Sequence, residues 1–405
     1  MTEALARIAS VVAADIEQSA DRPDAARWAQ PFVWRNPADI PPRRWLYRPH
    51  LIRGFVSLTV SPGGVGKSTL TLCEALAMAS GRALLGVLPS ERTKVWCWNG
   101  EDPGEEIERR IQAAMIHHQL RPADLEGWLF TGSGRDADLV IAEQDRFGIS
   151  VAAPVMEALI AFINEHEIGA VIIDPFVSSH RVAENDNGAI DRVAKAWGRI
   201  ANATGCAVEL VHHTRKTGGA DVSVEDGRGA SALLAAARHA RTLRTMSEQE
   251  ADSLGVERTD RQFYVRIDGG KANLSPPASG AVWFRLANVH LPNGDYVQAA
   301  SHWTPPDPFE GVSAADLFRV QEAVKRGRGD EAEGWRANIQ TGDAWVGQAI
   351  GQALGLDVTR PREAGRAKEL LRLWLGSGAL VKVDRSINAK GKTAPFIEVG
   401  RWAEL

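Results

Sequence analysis

The chain has 405 residues, of which 44% are hydrophobic and 24% are charged, and its formal net charge is -4. This composition is typical of a globular protein and excludes fibrous and disordered classes, while the length allows two or three domains. The slightly negative balance gives no overall signal for nucleic-acid binding, so any DNA contact must come from local basic patches. We expect a cytoplasmic protein without membrane contact, because the sequence has no secretion signal and no apolar run of about eighteen residues. The widely spaced Cys73, Cys97 and Cys206 predict reduced, buried thiols.

A phosphate-loop pattern follows a predicted amphipathic helix (residues 3–18) and a Pro/Arg-rich connector. The loop reads SPGGVGKSTL (61–70) and lies between an apolar, β-branched run, which predicts a buried parallel strand, and a run with helical periodicity. In such a loop backbone N–H groups surround a phosphate, the lysine reaches the outer phosphates and the hydroxyl serves Mg²⁺. Ser61 replaces the usual first glycine, a position that mainly needs a small residue. The residues predicted to bind nucleotide are Pro62, Gly63, Gly64, Val65, Gly66, Lys67, Ser68 and Thr69.

Predicted strands and helices then alternate up to CAVELVHH (206–213), which indicates an α/β fold with a parallel sheet covered on both faces. After residue 240 three successive runs, ARTLRTM, RQFYVRIDG and AVWFRLANV, predict an antiparallel extension of that sheet. The Pro-rich and acidic segment SHWTPPDPFEG predicts a linker. The predicted domains are an N-terminal helix and connector (1–50), an ATPase-like core (51–300), the linker (301–312) and a C-terminal domain (313–405).

Polar residues follow three predicted strands at the edge where open α/β sheets bind ligands. Asp174 ends one strand, where a carboxylate can hold the Mg²⁺ shell. Glu101 and Asp102 follow another, and one of them is predicted to orient or deprotonate an attacking water; Pro103 makes Asp102 a helix cap and so favours Glu101. His213 follows the third with His212 before it, where a histidine can respond to a phosphate. The alternatives without a catalytic role are that the acids cap helices or lie on the surface, and that one histidine is buried while the other is solvated.

The C-terminal part predicts three helices followed by a β-hairpin, which is the order of a winged helix, with the third helix as the candidate for reading a DNA groove. Residues 357–405 contain ten Lys/Arg against six Asp/Glu, an excess of four positive charges. This excess predicts DNA contacts through Arg366, Lys368, Arg372, Lys390 and Lys392. A protein-docking module is the alternative function for this part.

Seven segments in order resemble the RecA-like ATPases of plasmid RepA-type hexameric replicative helicases and their phage and chromosomal relatives. The resemblance covers about Pro41 to Pro277 and is carried by SPGGVGKST, WNGEDP, VIIDPF, ENDN, GCAVELVHHTRK, GRGASALLAAAR and YVRIDGGKAN. It implies a RecA-like core that binds ATP and Mg²⁺, acts on DNA and assembles as a hexamer.

The resemblance also implies roles for matching residues. Lys67 and Ser68 would bind the triphosphate and Mg²⁺, Asp174 would be the second metal-site residue, Glu101 the catalytic base and His213 the phosphate sensor. A neighbouring subunit would complete the site with an arginine, for which Arg238 is the first candidate and Arg228 the second. The loop after His213 is polar and Gly-rich, and its Arg215 and Lys216 are candidate contacts to single-stranded DNA.

The sequence therefore predicts a Mg-ATP-dependent ring motor that unwinds or translocates DNA in replication of a plasmid, phage or other mobile element. Replication partners are expected at the C-terminal domain. The alternative from another class is an ATP-switched DNA-binding adaptor or regulator without unwinding activity. A small-molecule kinase on the same loop is disfavoured, because no Arg-rich lid follows and the strand ending in histidine would have no use.

Overall fold

The computed structural model describes residues 31–146, 148–213, 230–274, 281–329, 333–386 and 393–404. The chain divides into two compact units, residues 1–43 and residues 44–405. In the described part of the first unit, a 3-10 turn (Pro37–Asp39) is capped by Asn36, whose Oδ1 accepts from the Ala38 amide at 3.0 Å. The predicted helix at residues 3–18 lies outside the described residues.

The second unit contains all the labelled elements. Its described helices are α1 (Lys67–Ser80), α2 (Gly104–His118), α3 (Pro122–Leu125), α4 (Ala153–Glu165), α5 (Asn187–Thr204), α6 (Ala230–Ala236), α7 (Glu248–Leu254), α8 (Ala314–Arg326), α9 (Gly347–Leu354) and α10 (Pro361–Gly376). Its described strands are β1 (Trp45–Tyr47), β2 (Leu51–Ile52), β3 (Val56–Ser61), β4 (Lys94–Asn99), β5 (Leu129–Ser133), β6 (Ala142–Asp145), β7 (Gly148–Val151), β8 (Ile168–Asp174), β9 (Ala207–His213), β10 (His239–Thr245), β11 (Tyr264–Ala272), β12 (Val282–His290), β13 (Tyr296–Trp303), β14 (Trp335–Arg336), β15 (Leu380–Ser386) and β16 (Thr393–Val399). None of the helices within these ranges is both long and apolar enough to cross a membrane.

A nine-stranded sheet forms the centre, in the order β13-β12-β11-β10-β3-β9-β8-β4-β5. The strands from β10 to β5 run parallel, and β11, β12 and β13 add to β10 in antiparallel fashion. Every residue of β3 and β8 is buried, as expected for parallel strands covered on both faces. One face packs against α4 and α5, and the other packs against α1 and α2.

The antiparallel extension differs from the sequence prediction in two respects. β10, the first of the three predicted antiparallel strands, pairs in parallel with β3 and only its other edge is antiparallel. A further strand, β13, continues to Trp303 and therefore takes the first residues of the predicted linker. Its hydrophobic pattern is weak, which explains why periodicity did not reveal it.

The C-terminal helices and strands surround a hydrophobic core of their own, with Trp335, Trp345, Ile350, Leu370 and Trp374 among its buried residues. α8, α9 and α10 are the three predicted helices, and β15 and β16 are the predicted hairpin, joined by the short β14 in a three-stranded sheet. This core rests on the ATPase-like part through α10. Gly365 lies so close to α7 that a Cβ there would collide with the Asp252 carbonyl.

Candidate nucleotide site

The phosphate loop joins β3 to α1 at the carboxyl end of the sheet. Ser61 is the last residue of β3, so its extended backbone tolerates a side chain where the usual pattern has glycine. Gly64 and Gly66 have φ values of 79° and 92°, which favour glycine. Gly66 also caps α1, and a Cβ there would lie 2.7 Å from Cδ1 of Leu286. Gly63 is not in the left-handed region, so within the loop the need for backbone freedom falls on Gly64 and Gly66.

Lys67 is buried at the start of α1, where its ammonium group has three acceptors among the residues that the structure describes. Nζ donates to the carbonyl oxygens of Pro62 (3.1 Å) and Ser61 (3.5 Å), and it lies 2.9 Å from Nδ1 of His213. The last contact follows from the strand register, because Ser61 and His213 are direct partners in the parallel pair of β3 and β9. Burial lowers the pKa of Lys67, while the nearby carboxylates of Asp174 and Glu101 oppose that shift.

Ser68 and Asp174 form an oxygen-rich pair beside the loop. The Ser68 hydroxyl is hydrogen-bonded to the Asp174 carboxylate, which ends β8 and is only 7% exposed. Burial raises the pKa of Asp174, and the bond from Ser68 and the charge of Lys67 oppose this rise. A hydroxyl beside a carboxylate is the kind of donor set that Mg²⁺ takes at phosphate sites. The two residues therefore fit the predicted metal site.

Glu101 lies on a turn whose backbone is held from several sides. Oδ1 of Asn99 accepts from the amides of Glu101 (2.9 Å) and Asp102 (2.7 Å), and Nε of Arg135 donates to the Glu101 carbonyl oxygen at 2.7 Å. The Gly100 amide donates to the carbonyl oxygen of Asp174 at 2.9 Å, which ties this turn to the metal-site strand. Within the described residues, no side-chain hydrogen bond engages the exposed Glu101 carboxylate.

Asp102, the alternative candidate for the base, is differently placed. Its carboxylate pairs with Arg110 at 2.9 Å and accepts from the Asn99 amide group at 3.3 Å. It does not cap α2, because that helix begins at Gly104 and its N-cap is Pro103. The helix-cap interpretation of Asp102 is therefore wrong, but the ion pair has the same effect: it occupies the Asp102 carboxylate and leaves Glu101 unpaired among the described residues.

A cleft of about 400 Å³ brings these groups together. Gly64, Gly66, Lys67, Ser68, Thr69, Glu101 and His213 line it, and Asp174 is within electrostatic reach of Lys67 and His213. The remaining lining residues are Asp102, the alternative candidate for the base, and five residues that were not predicted from the sequence: Glu106, Arg110, Tyr296, Val297 and Gln298. The last three belong to β13, which reaches the cleft only through long-range strand pairing, so no local sequence signal could have placed them there.

Arg238 lies far from this cleft. α6 ends at Ala236, so the arginine belongs to the turn before β10 and not to the Ala-rich helix that the sequence indicated. Its amide donates to the Val56 carbonyl oxygen at 2.9 Å, which places it at the amino end of β3, about 15 Å from the phosphate loop at the usual rise per strand residue. The exposed guanidinium lies 5.9 Å from the centre of the Phe55 ring. Arg238 therefore cannot serve the phosphates bound by its own chain.

The predicted DNA contacts are only partly described. Arg215, Lys216, Arg228, Lys390 and Lys392 lie outside the described residues. Arg366 donates through Nε to the Pro308 carbonyl oxygen at 3.0 Å and through its NH2 group to that of Glu310. Arg372 pairs with Glu369, and Lys368 is exposed. The face of α10 that carries Gly365 and Arg366 is thus covered by α7 and the linker. Of the three DNA contacts predicted on this helix, Lys368 and Arg372 stay exposed.

Two comparisons with known proteins bear on this fold and site. Residues 22–219 match the family model described as an AAA domain. A solved structure, described as the crystal structure of the RadB recombinase, is similar over 62% of this chain and 92% of that chain, with 14% identity and a TM-score of 0.39. The family match and the loop geometry support a P-loop ATPase, the coarser part of the predicted resemblance. Nucleotide binding with a divalent metal is what such a domain implies.

Proposed function

We propose that the chain is a RecA-like motor ATPase that hydrolyses Mg-ATP and works on DNA as a ring, in replication of a plasmid, phage or other mobile element. One observation carries the proposal: Lys67, Ser68, Glu101, Asp174 and His213 come from four different segments and meet at one edge of the sheet. Structural convergence of a cation, a metal-site pair, an unpaired carboxylate and a histidine is what phosphoryl transfer to water requires.

Each residue has a proposed role. Lys67 leaves its loop carbonyls to contact the outer phosphates. Ser68 and Asp174 would hold Mg²⁺, which would neutralise charge on the phosphates. Glu101 orients the attacking water and accepts its proton, since a base must be within hydrogen-bond reach of that water. His213 contacts Lys67, so movement of Lys67 toward a phosphate changes the surroundings of the imidazole and of the loop that follows it.

The proposal requires several copies of the chain to assemble, because Arg238 is proposed to act on the site of a neighbouring copy. Charge spreads over the equatorial oxygens of a phosphoryl-transfer transition state, and an arginine supplied by a neighbour can accelerate the reaction by about 10³–10⁵. Arg238 is exposed and distant from its own cleft, as a residue acting on a second copy must be. We therefore assign Arg238 as the arginine finger, which is the arginine that a neighbouring copy supplies to the site. A single copy is expected to hydrolyse ATP slowly.

A mixing experiment tests this assignment. Arg238→Ala is expected to keep nucleotide affinity and lose turnover, and Lys67→Ala is expected to lose both. When the two inactive variants are mixed, a cleft from the first can meet a finger from the second, and random assembly gives activity in about a quarter of the contacts. Recovery of turnover on mixing supports a finger in trans. Normal ATP turnover by the Arg238→Ala variant alone would contradict the assignment of Arg238 as the arginine finger.

DNA assays separate the motor from the ATP-switched adaptor. A motor shows hydrolysis stimulated by single-stranded DNA and displaces a strand from a forked duplex, whereas an adaptor binds DNA in the presence of ATP and displaces nothing. The mass of the full chain, measured with and without nucleotide and DNA, reports ring formation in the same samples. Strand displacement that persists after Lys368→Ala would favour a protein-docking role for the C-terminal domain over a DNA contact through Lys368.

A further inference from the structure

Six polar side chains lie on the α1 face of the sheet, below the cleft, and none of them lines it. We call them the buried network: His50, Thr59, Glu74, Glu209, His239 and Arg241. Each is at most 7% exposed, although three of them are ordinarily charged. Burying such groups is expensive unless they are paired and hydrogen-bonded, so their arrangement requires an explanation.

The members of the buried network form one continuous chain of contacts. NH1 and NH2 of Arg241 donate to the two carboxylate oxygens of Glu74, both at 2.6 Å, and its Nε donates to the Thr59 hydroxyl at 2.8 Å. Thr59 in turn donates to Glu209. Nε2 of His50 lies 2.6 Å from Oε2 of Glu209, and its Nδ1 lies 2.9 Å from Nδ1 of His239. Burial lowers the pKa of His50 well below its ordinary value, so that ring is neutral.

Four of the elements that the network joins carry groups with roles in the proposed function. Glu74 is on α1, two helical turns after Lys67, and Thr59 is on β3, two residues before Ser61. Glu209 is on β9, which ends at His213, and Arg241 is on β10, three residues after Arg238. The pair of Arg241 and Glu74 therefore connects the strand beside the proposed finger with the helix that presents the phosphate-binding lysine.

Stability alone does not account for this chemistry. A buried ion pair can usually be replaced by apolar residues of similar volume with little loss of stability, and sometimes with a gain. What an apolar replacement cannot reproduce is direction, because a bidentate guanidinium–carboxylate pair fixes the distance and the orientation of both partners. The buried network is thus better suited to holding α1, β3 and β10 in one register than to holding the fold together.

We propose that Arg241 is a positioning residue, which sets the location of α1 relative to β10 through Glu74 and Thr59 and so aligns Lys67 and Ser68 for turnover. This inference rests on the proposed ATPase function. It assigns Arg241 no contact with nucleotide; the residue acts through the helix.

The test replaces the ion pair with apolar residues. Glu74→Met and Arg241→Met each leave a buried charge unpaired and are expected to lower the unfolding midpoint, whereas the double variant is expected to recover it. In the recovered double variant we expect kcat to fall about tenfold or more, while the Kd for ATP stays within about threefold of the original value. A folded double variant with kcat close to the original would overturn the inference and leave the network a structural feature.

A second pair of variants covers the case in which the double variant does not fold. Thr59→Val removes the hydroxyl that links Arg241 to Glu209, and Thr59→Ser keeps it. We expect kcat to fall in the valine variant and to return in the serine variant, with ATP affinity similar in both; equal kcat values would overturn the inference. Absence of ATP hydrolysis by the original chain, with or without DNA, would overturn the proposed function as well, which distinguishes that failure from this one.

Discussion

Nζ of Lys67 lies 2.9 Å from Nδ1 of His213, across the gap between the phosphate loop and the end of the neighbouring strand. An ammonium group can only donate, so Nδ1 accepts and the imidazole is neutral, with its proton on Nε2. Burial, together with the charge of Lys67, lowers the pKa of His213, which keeps the ring in this form. The lysine that is proposed to reach the phosphates and the histidine that is proposed to sense them thus share one hydrogen bond.

Removal of this bond should affect turnover more than binding. His213→Asn keeps a polar side chain but cannot titrate, and we expect it to bind ATP with nearly the original affinity. Loss of one hydrogen bond to a charged group corresponds to a fall in kcat of about 10- to 100-fold. The original chain should also lose kcat below pH 6.5 as the ring becomes protonated, and the variant should not. A pH profile of kcat that is the same in both proteins would contradict this assignment.

The two carboxylates of the WNGEDP segment should differ sharply in their contributions. Glu101→Gln is expected to lower kcat by about 10²–10⁴ with ATP affinity retained, because it removes the proposed base. Asp102→Asn is the matched control: it weakens the contact with Arg110 and should cost far less turnover. Single-turnover hydrolysis measures the chemical step for both variants. A larger loss with Asp102→Asn would transfer the role of base to Asp102.

A buried histidine away from the cleft should make the fold sensitive to acid. Burial lowers the pKa of His180 to about 4, with the charge of His212 adding to the shift. Between that value and the ordinary 6.5, the unfolded chain binds a proton that the folded chain does not, so stability falls as the pH falls through this window. One such group contributes at most about 1.4 kcal/mol per pH unit.

His180→Asn removes this titration and keeps an acceptor for the Val182 amide, which lies 3.4 Å from Nδ1. Urea unfolding at pH 7 and pH 5 should show a smaller loss of stability in the variant than in the original chain. His290→Asn, at an exposed position of β12, is the control and should leave the difference between the two pH values unchanged. An equal loss of stability between pH 7 and pH 5 in the His180 variant and in the original chain would contradict this prediction.

Arg366 and Lys368 should separate docking from DNA contact on α10. Arg366→Ala removes the donor to two linker carbonyls and should reduce stability by about 0.5–1.5 kcal/mol, without changing the salt dependence of DNA binding. Lys368→Ala should lower the slope of log affinity against log salt by about one if the exposed ammonium group contacts a phosphate. DNA titrations at several salt concentrations and thermal unfolding measure both effects. A lowered slope for Arg366→Ala at unchanged stability would restore Arg366 as a DNA contact.

The sequence identified the cleft where chemistry requires particular residues at the end of a strand. Lys67 and Ser68 follow from the loop pattern, and Asp174, Glu101 and His213 follow because the carboxyl ends of parallel strands meet at one edge. Their proximity is observed, and their roles stay predictions. Tyr296 and Gln298 reach the same cleft from a strand nearly 200 residues further along the chain than Glu101, and only tertiary pairing brings them there.

The contacts of the buried network also could not be predicted from the sequence. Glu74 and Arg241 are separated by 167 positions, and each alone has the pattern of a solvated charge on a helix or strand. Likewise, the charge excess of the last fifty residues gave no indication that Arg366 would be bound by the linker, because a count of charges does not reveal which cations already have acceptors.

The distance between Arg238 and the phosphate loop has a consequence for assembly. In the proposed ring, one end of the sheet donates the arginine and the opposite end of the sheet in the next copy receives it, which is a heterologous contact. In such a head-to-tail series, every added copy leaves one donor and one acceptor unsatisfied until the series closes on itself. The rotation between successive copies would then decide between a closed ring and an open helical filament.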